Sequence, residues 1–175
     1  MPFIIRVAQP DLVLAGKVAR VVELLQIKLM QGSFRFWEEK FGERNRQSKY
    51  LQRPIELSVE TSEKATAAGN VVRTSVDFRC LGIRVTGSRK SKVFDSTCKF
   101  VVEYSYPDGI EFKPGELRAF AHTNAVLNTW PYWREYIQSM AARASLPPLI
   151  APLLQVRPDS PRLRPAGARS KSKRV

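Results

Sequence analysis

From Phe94 to Tyr106 the chain alternates almost without a break. Phe94, Cys98, Phe100, Val102, Tyr104 and Tyr106 fall on one parity, and Asp95, Thr97, Lys99 and Glu103 on the other. A period of two is that of a β-strand with one face turned away from water. A strand this long cannot hide its apolar face alone, so it requires neighbours beside it and a cover above it. The neighbours are legible upstream. Val72, Val76, Phe78 and Cys80 share a parity, and Ile55, Leu57 and Val59 alternate with Glu56, Ser58 and Glu60 after the break at Pro54. Leu25, Ile27 and Leu29 alternate with Gln26 and Lys28, then Phe34 and Phe36 resume on the opposite parity after Gly32, which predicts a bulge there. Turn residues at Ala67 to Asn70 and in "TGSRKS" (86 to 91) separate the last three stretches. Four antiparallel strands result.

The cover comes from segments with helical spacing. Leu14, Val18, Val21 or Val22, and Leu25 follow a possible cap at Asp11, predicting an N-terminal amphipathic helix. Pro114 suits the first turn of a second helix, whose stripe runs Leu117, Phe120, Ala121, Asn124 and Leu127 or Asn128. Pro131 disfavours helical geometry at Trp130 and predicts a kink or restart. Trp133, Ile137, Met140 and Ala144 then continue the stripe until Pro147-Pro148 stops it. The fold class is α+β: a four-stranded antiparallel sheet packed on a long C-terminal helix, with a helix at the N-terminal side. Between the first two strands, Trp37 to Arg53 is charged and without period, a connecting loop carrying Trp37, Phe41, Tyr50 and Leu51.

A 43% hydrophobic content over 175 residues can fill one core, taken as residues 1–156. The net charge of +13 is unevenly spread: residues 157–175 hold seven basic residues against Asp159 alone. With Leu163 as its main apolar group, that tail cannot bury enough surface to order itself, so it reads as disordered. No apolar run is long enough to span a bilayer, and the first ten residues lack the apolar core of a secretory signal, so a cytoplasmic protein is expected. Cys80 and Cys98 read as reduced, small core residues, although a hairpin turn at 87–90 would set them about opposite each other.

Catalytic chemistry finds few candidates. His122 is the sole histidine and falls inside a predicted helix. The chain has no serine elbow, no Gly-rich phosphate loop and no Cys/His cluster at metal spacing. Neither turnover nor a cofactor is expected. The basic clusters "ERNRQSK" and "GSRKSK" and the tail could neutralise phosphates, which makes a nucleic-acid-binding protein the rival reading. No recognition-module signature accompanies the charge, and the strand aromatics alternate as core does.

Residues 128 to 149 are more specific. Asn128, Pro131-Tyr132, Arg134-Glu135, Ile137, Ser139-Met140, Arg143, Pro147 and Leu149 stand in the order and spacing of the long helix of the SecB family of protein-export chaperones. The chain resembles that family over roughly 120 to 153, and from about Val22 its strand, long loop, three strands and helix follow the family's order. The resemblance implies an ATP-independent holdase that keeps unfolded precursor polypeptides in a long hydrophobic groove. By position, the groove residues would be Phe36, Trp37, Phe41, Tyr50, Leu51, Ile55 and Leu57, with Leu146 and Leu149 at the helix end. Large rigid apolar groups with little hydrogen-bond specificity suit a binder of many sequences. Equally, the loop aromatics could staple the loop onto the sheet.

The resemblance also implies a homotetramer, a dimer of dimers in which sheets pair and long helices stack. Leu127, Trp130, Trp133, Tyr136, Ile137 and Met140 lie on more sides of the helix than one sheet can cover, and are expected at that interface. The family's export members are acidic and deliver clients to the SecA motor; others serve the antitoxin of a toxin–antitoxin pair. The strongly basic charge here runs against SecA, and the "LPPL" at 146–149 resembles the second group.

Overall fold

The computed structural model describes residues 2–37, 55–86, 88–146 and 148–159, of which 55–62, 86 and 89 are described by backbone alone. The elements in chain order are β1 (Phe3–Val7), α1 (Gln9–Ala19), β2 (Glu23–Phe36), β3 (Ile55–Ala68), β4 (Val71–Thr86), β5 (Arg89–Ser105), α2 (Pro114–Phe120), a single π turn (Ala121–Ala125), α3 (Val126–Arg143) and β6 (Leu154–Pro158). Strands β2 to β5 form one antiparallel sheet in the order β2-β5-β4-β3. Its inner face carries Val76, Phe78, Cys80, Phe94, Cys98, Phe100, Val102 and Tyr104, all buried. The expected four-stranded α+β architecture is present.

The change of phase in β2 has a structural cause. Its register against β5 slips between Leu24 and Gln26 and again between Leu29 and Gln31, so Leu25 and Met30 are extra residues. The second slip returns Gly32, Phe34 and Phe36 to the face that Ile27 occupied, two residues before the glycine expected to bulge. Gly32 itself makes room: a Cβ there would sit 2.6 Å from the Tyr136 hydroxyl. Between β3 and β4, Gly69 turns the chain with φ of 54°, a conformation that glycine adopts without penalty.

Helix α3 lies across the inner face. Trp133 stacks on Phe78 with ring centroids 5.6 Å apart, Trp130 meets the same ring edge-on at 5.9 Å, and the two tryptophans are 4.5 Å apart. Each fully buried large apolar side chain in such a core contributes about 1.5–3 kcal/mol relative to exposure. A second core lies towards the other end of the sheet, where Val18 of α1 and Leu117 and Phe120 of α2 cover Val72, Val102 and Tyr104.

Four sequence expectations are corrected. Helix α1 ends at Ala19, so Val21, Val22 and Leu25 are not part of its stripe, and its cap is Ala8, with Pro10 and Asp11 both in its first turn. The helix does not restart at Pro131; α3 runs through it, and a π turn at Ala121–Ala125 precedes it. Pro131 is exposed, as is Leu127 one turn before it, so the carbonyl the proline leaves unpaired lies towards water. Helix α3 stops before the prolines: Ser145 adopts φ of 54°, Ser145 N–H bonds to Ala142 O and Leu146 N–H to Ala141 O, both at 3.0 Å. That double bond pattern is a Schellman motif with serine where glycine is usual. Finally, β1 and β6 form a parallel two-stranded sheet of their own, with Phe3 opposite Leu154 and Val7 opposite Pro158. Ordered backbone therefore continues two residues past the position at which the tail was expected to begin, because β1 supplies partners for Arg157 and Pro158.

Candidate functional site

The strand registers bring several groove candidates to one end of the sheet. Phe36 of β2 is opposite Phe94 of β5, Phe94 is opposite Gly82 of β4, and Gly82 is opposite Leu57 of β3. One row thus crosses all four strands from Phe36 to Leu57, with Ile55 two positions further along β3, opposite Arg84. Gly82 is required in this row, because a Cβ there would overlap the Phe94 ring. Phe94 is fully buried and stacks on Phe34 at 5.2 Å. Phe36 and Trp37 at the margin are half-buried, and the Trp37 N–H donates to Val93 O at 3.0 Å. Phe41, Tyr50 and Leu51 lie outside the described residues.

The turn at Ser145 aims the next segment back at this core. Leu146 and Leu149 are 7% and 8% exposed and pack in the core that holds Phe94, Trp130 and Ile137. The segment is tied to α3 by two hydrogen bonds: Gln138 Nε2 donates to Leu149 O at 3.1 Å, and Trp130 Nε1 to Pro152 O at 3.0 Å. Leu146 and Leu149, expected to line the groove, are thus buried within this chain. The same core holds Ile5 and Val7 of β1, whose Phe3 stacks on Trp130 at 5.0 Å. Sequence reasoning missed β1, although the alternation of Phe3, Ile5 and Val7 between Pro2 and Pro10 was its signal.

The residues expected at a subunit interface divide into two sets. Trp130, Trp133 and Ile137 are 3%, 1% and 0% exposed within this one chain, so they need no second protomer for cover. On the sheet's inner face Phe78 touches both indoles. Leu127 is exposed, and Tyr136 and Met140 are half-buried. Further exposed apolar side chains run along β2, the edge strand: Leu24, Leu25, Leu29 and Met30 are each about half exposed or more.

The outer face of the sheet is polar and knit by cross-strand ion pairs. Glu103 accepts from Arg73 Nε at 2.9 Å and lies 3.8 Å from Lys28, with Gln26 donating to its other oxygen. The Arg73 guanidinium, and then Gln26, hold its carboxyl below the ordinary value. Arg79 pairs with Asp95 at 3.0 Å and Lys99 with Asp77 at 3.8 Å. His122 lies in the π turn and pairs with Glu63 of β3, which fastens the helical layer to the far edge strand. Among the described residues no three His, Cys, Asp or Glu side chains converge as metal ligands would, and no helix is long and apolar enough to cross a membrane.

Among the described residues this arrangement offers exposed apolar surface. No protein-family model matches the sequence, and neither does any curated protein. Among solved structures the fold is similar to that of the Mycobacterium tuberculosis SecB-like chaperone Rv1957, in complex with a ChAD peptide from the Rv1956 HigA1 antitoxin. The TM-score is 0.67 at 16% identity, over 83% of this chain and 99% of that one. A Streptococcus agalactiae protein of unknown function aligns more loosely, with a TM-score of 0.42 at 12% identity over 74% and 94% of the two chains. The resemblance read from residues 128 to 149 is thus met at the level of the backbone, and the chain has the fold of a SecB-like chaperone.

Proposed function

We propose that this protein is an ATP-independent chaperone of the holdase type, which binds extended apolar segments of unfolded polypeptides at the end of the sheet marked by Phe36, Trp37, Ile55 and Leu57 and by the C-terminal end of α3. The observation that carries this reading is the fold shared with a SecB-like chaperone seen with a peptide. The row of apolar and glycine positions beneath that site supports it. Phe41, Tyr50 and Leu51 belong to the proposed site by position in the chain. A dedicated client such as an antitoxin is favoured over precursors bound for SecA. The neighbour's peptide comes from an antitoxin, and the outward carboxylates Asp77, Asp95 and Glu103 are already engaged by Lys99, Arg79 and Arg73.

The proposed assembly is a homotetramer in the cytoplasm, with the exposed leucines of β2 and Leu127, Tyr136 and Met140 of α3 at the contacts between copies. The test is aggregation of several unrelated unfolded proteins followed by light scattering, with the chaperone at stoichiometric amounts and no nucleotide. Suppression across clients is expected. Unchanged scattering with every one of them overturns the reading.

A further inference from the structure

Strand β1 has the form of a bound client. It is extended, five residues long, and apolar at alternate positions: Phe3, Ile5 and Val7 turn inward, while Ile4 and Arg6 turn outward. Its inward side chains reach the core that also holds Leu146 and Leu149. It makes no ladder with the four-stranded sheet. Its backbone partners are β6 and the residues beside it, with Phe3 N–H donating to Leu153 O at 2.7 Å and Asp159 N–H to Val7 O at 2.8 Å. The segment that carries β6, by contrast, is fixed independently to α3 through Gln138 and Trp130. Strand β1 is held by side-chain burial and this one ladder and continues through Ala8 into α1, while β6 has no fully buried side chain and follows the segment tied to α3.

We propose that β1 is a resident stand-in for the client: an extended client segment displaces it, pairs with β6 in its place, and sets apolar side chains at alternate positions into the pockets of Phe3, Ile5 and Val7 beside Trp130. This rests on the holdase reading and deepens it, because it names what the client must look like and where its backbone bonds. The client is a polypeptide with apolar residues at i, i+2 and i+4, tolerant of a polar or basic residue between them, as Arg6 is tolerated in β1. Strand addition supplies affinity through main-chain bonds that any sequence can make, and the pockets supply the preference. Because β1 occupies the site, the apparent client affinity is the intrinsic affinity multiplied by the fraction of molecules in which β1 is undocked.

The experiment uses the full chain and a permanently unfolded probe, reduced and carboxymethylated α-lactalbumin. Backbone hydrogen exchange is followed with and without saturating probe, and probe affinity is measured for the native chain, for Phe3→Ala and for Ile4→Ala. Expected on probe binding is loss of protection at residues 3–7 with protection kept at 154–158. Phe3→Ala, which weakens the docking of β1, is expected to tighten probe binding about tenfold by releasing the competitor, while the outward Ile4→Ala leaves it unchanged. If the probe binds and β1 keeps its protection, if β6 exchanges along with β1, or if Phe3→Ala fails to tighten binding, the inference is overturned and the holdase reading stands. If no probe binds to the native chain or to Phe3→Ala, both fall together.

Discussion

Cys80 and Cys98 show how far a side chain's chemistry is set by its place in the sheet. Cys80 is opposite Ser96 and Cys98 opposite Phe78, so the two are diagonal neighbours on the inner face, and both are free thiols. Burial pushes each up to about 12, helped at Cys80 by Cys98 and Asp95 and at Cys98 by Asp77. Only the thiolate is nucleophilic, so at pH 8 almost none of either group is reactive, and both lack access to reagent. The folded protein is therefore expected to resist a thiol-reactive chromophore at pH 8, and to react with two equivalents once denaturant unfolds it. Fast stoichiometric labelling of the native protein, read by absorbance, would contradict this placement.

Among the elements, α3 is defined as much by its end as by its apolar stripe. Its last turn closes on Ser145 in the left-handed region, where a Cβ is unfavourable by roughly 1–2 kcal/mol. Glycine there removes that strain but gains more freedom in the unfolded chain, a cost of about 0.5–1 kcal/mol. Ser145→Gly is expected to stabilise by about 0.5–1 kcal/mol in chemical denaturation. Ser145→Val should destabilise, since a β-branched residue tolerates this region worst. A lower midpoint for the glycine variant would show that the serine makes a compensating contact. The same turn matters to the site, because it directs Leu146 and Leu149 back to the core and delivers β6 to the position where β1 meets it.

On the scale of the whole molecule, the surfaces available for assembly differ from those the helix composition suggests. Trp133 is 1% exposed beneath α3, and a charge there has neither partner nor water, so Trp133→Asp is expected to unfold the protomer at a cost above about 4 kcal/mol. Leu29 and Met30 sit on an edge strand, 48% and 60% exposed, and among the described residues no further strand pairs with that edge. The double variant Leu29→Asp with Met30→Asp is expected to keep its circular dichroism and melting behaviour and to run as a smaller species in size exclusion with light scattering. An intact protein that is already monomeric, or a double variant of unchanged mass, would remove β2 from the proposed contacts.

The sequence by itself determined what depends on neighbours along the chain. Period two in Phe94 to Tyr106 and in Val72 to Cys80 marks strands because alternate side chains must share a face. The phase change between Leu29 and Phe34 marks a bulge because no regular strand can absorb it, and the residues from Asn128 to Leu149 carry the likeness to SecB. Three features were decided only in the tertiary structure. A parallel pair between residues 3–7 and 154–158 has no turn to announce it, and the alternation of Phe3, Ile5 and Val7 cannot name the strand it pairs with. A helix with apolar groups on several sides does not tell which side meets its own sheet, so Trp130, Trp133 and Ile137 read as interface but are buried within this one chain. Leu146 and Leu149, expected in the groove, are buried in the core that also holds Ile5 and Val7, nearly the whole chain length away in sequence and brought there by the fold.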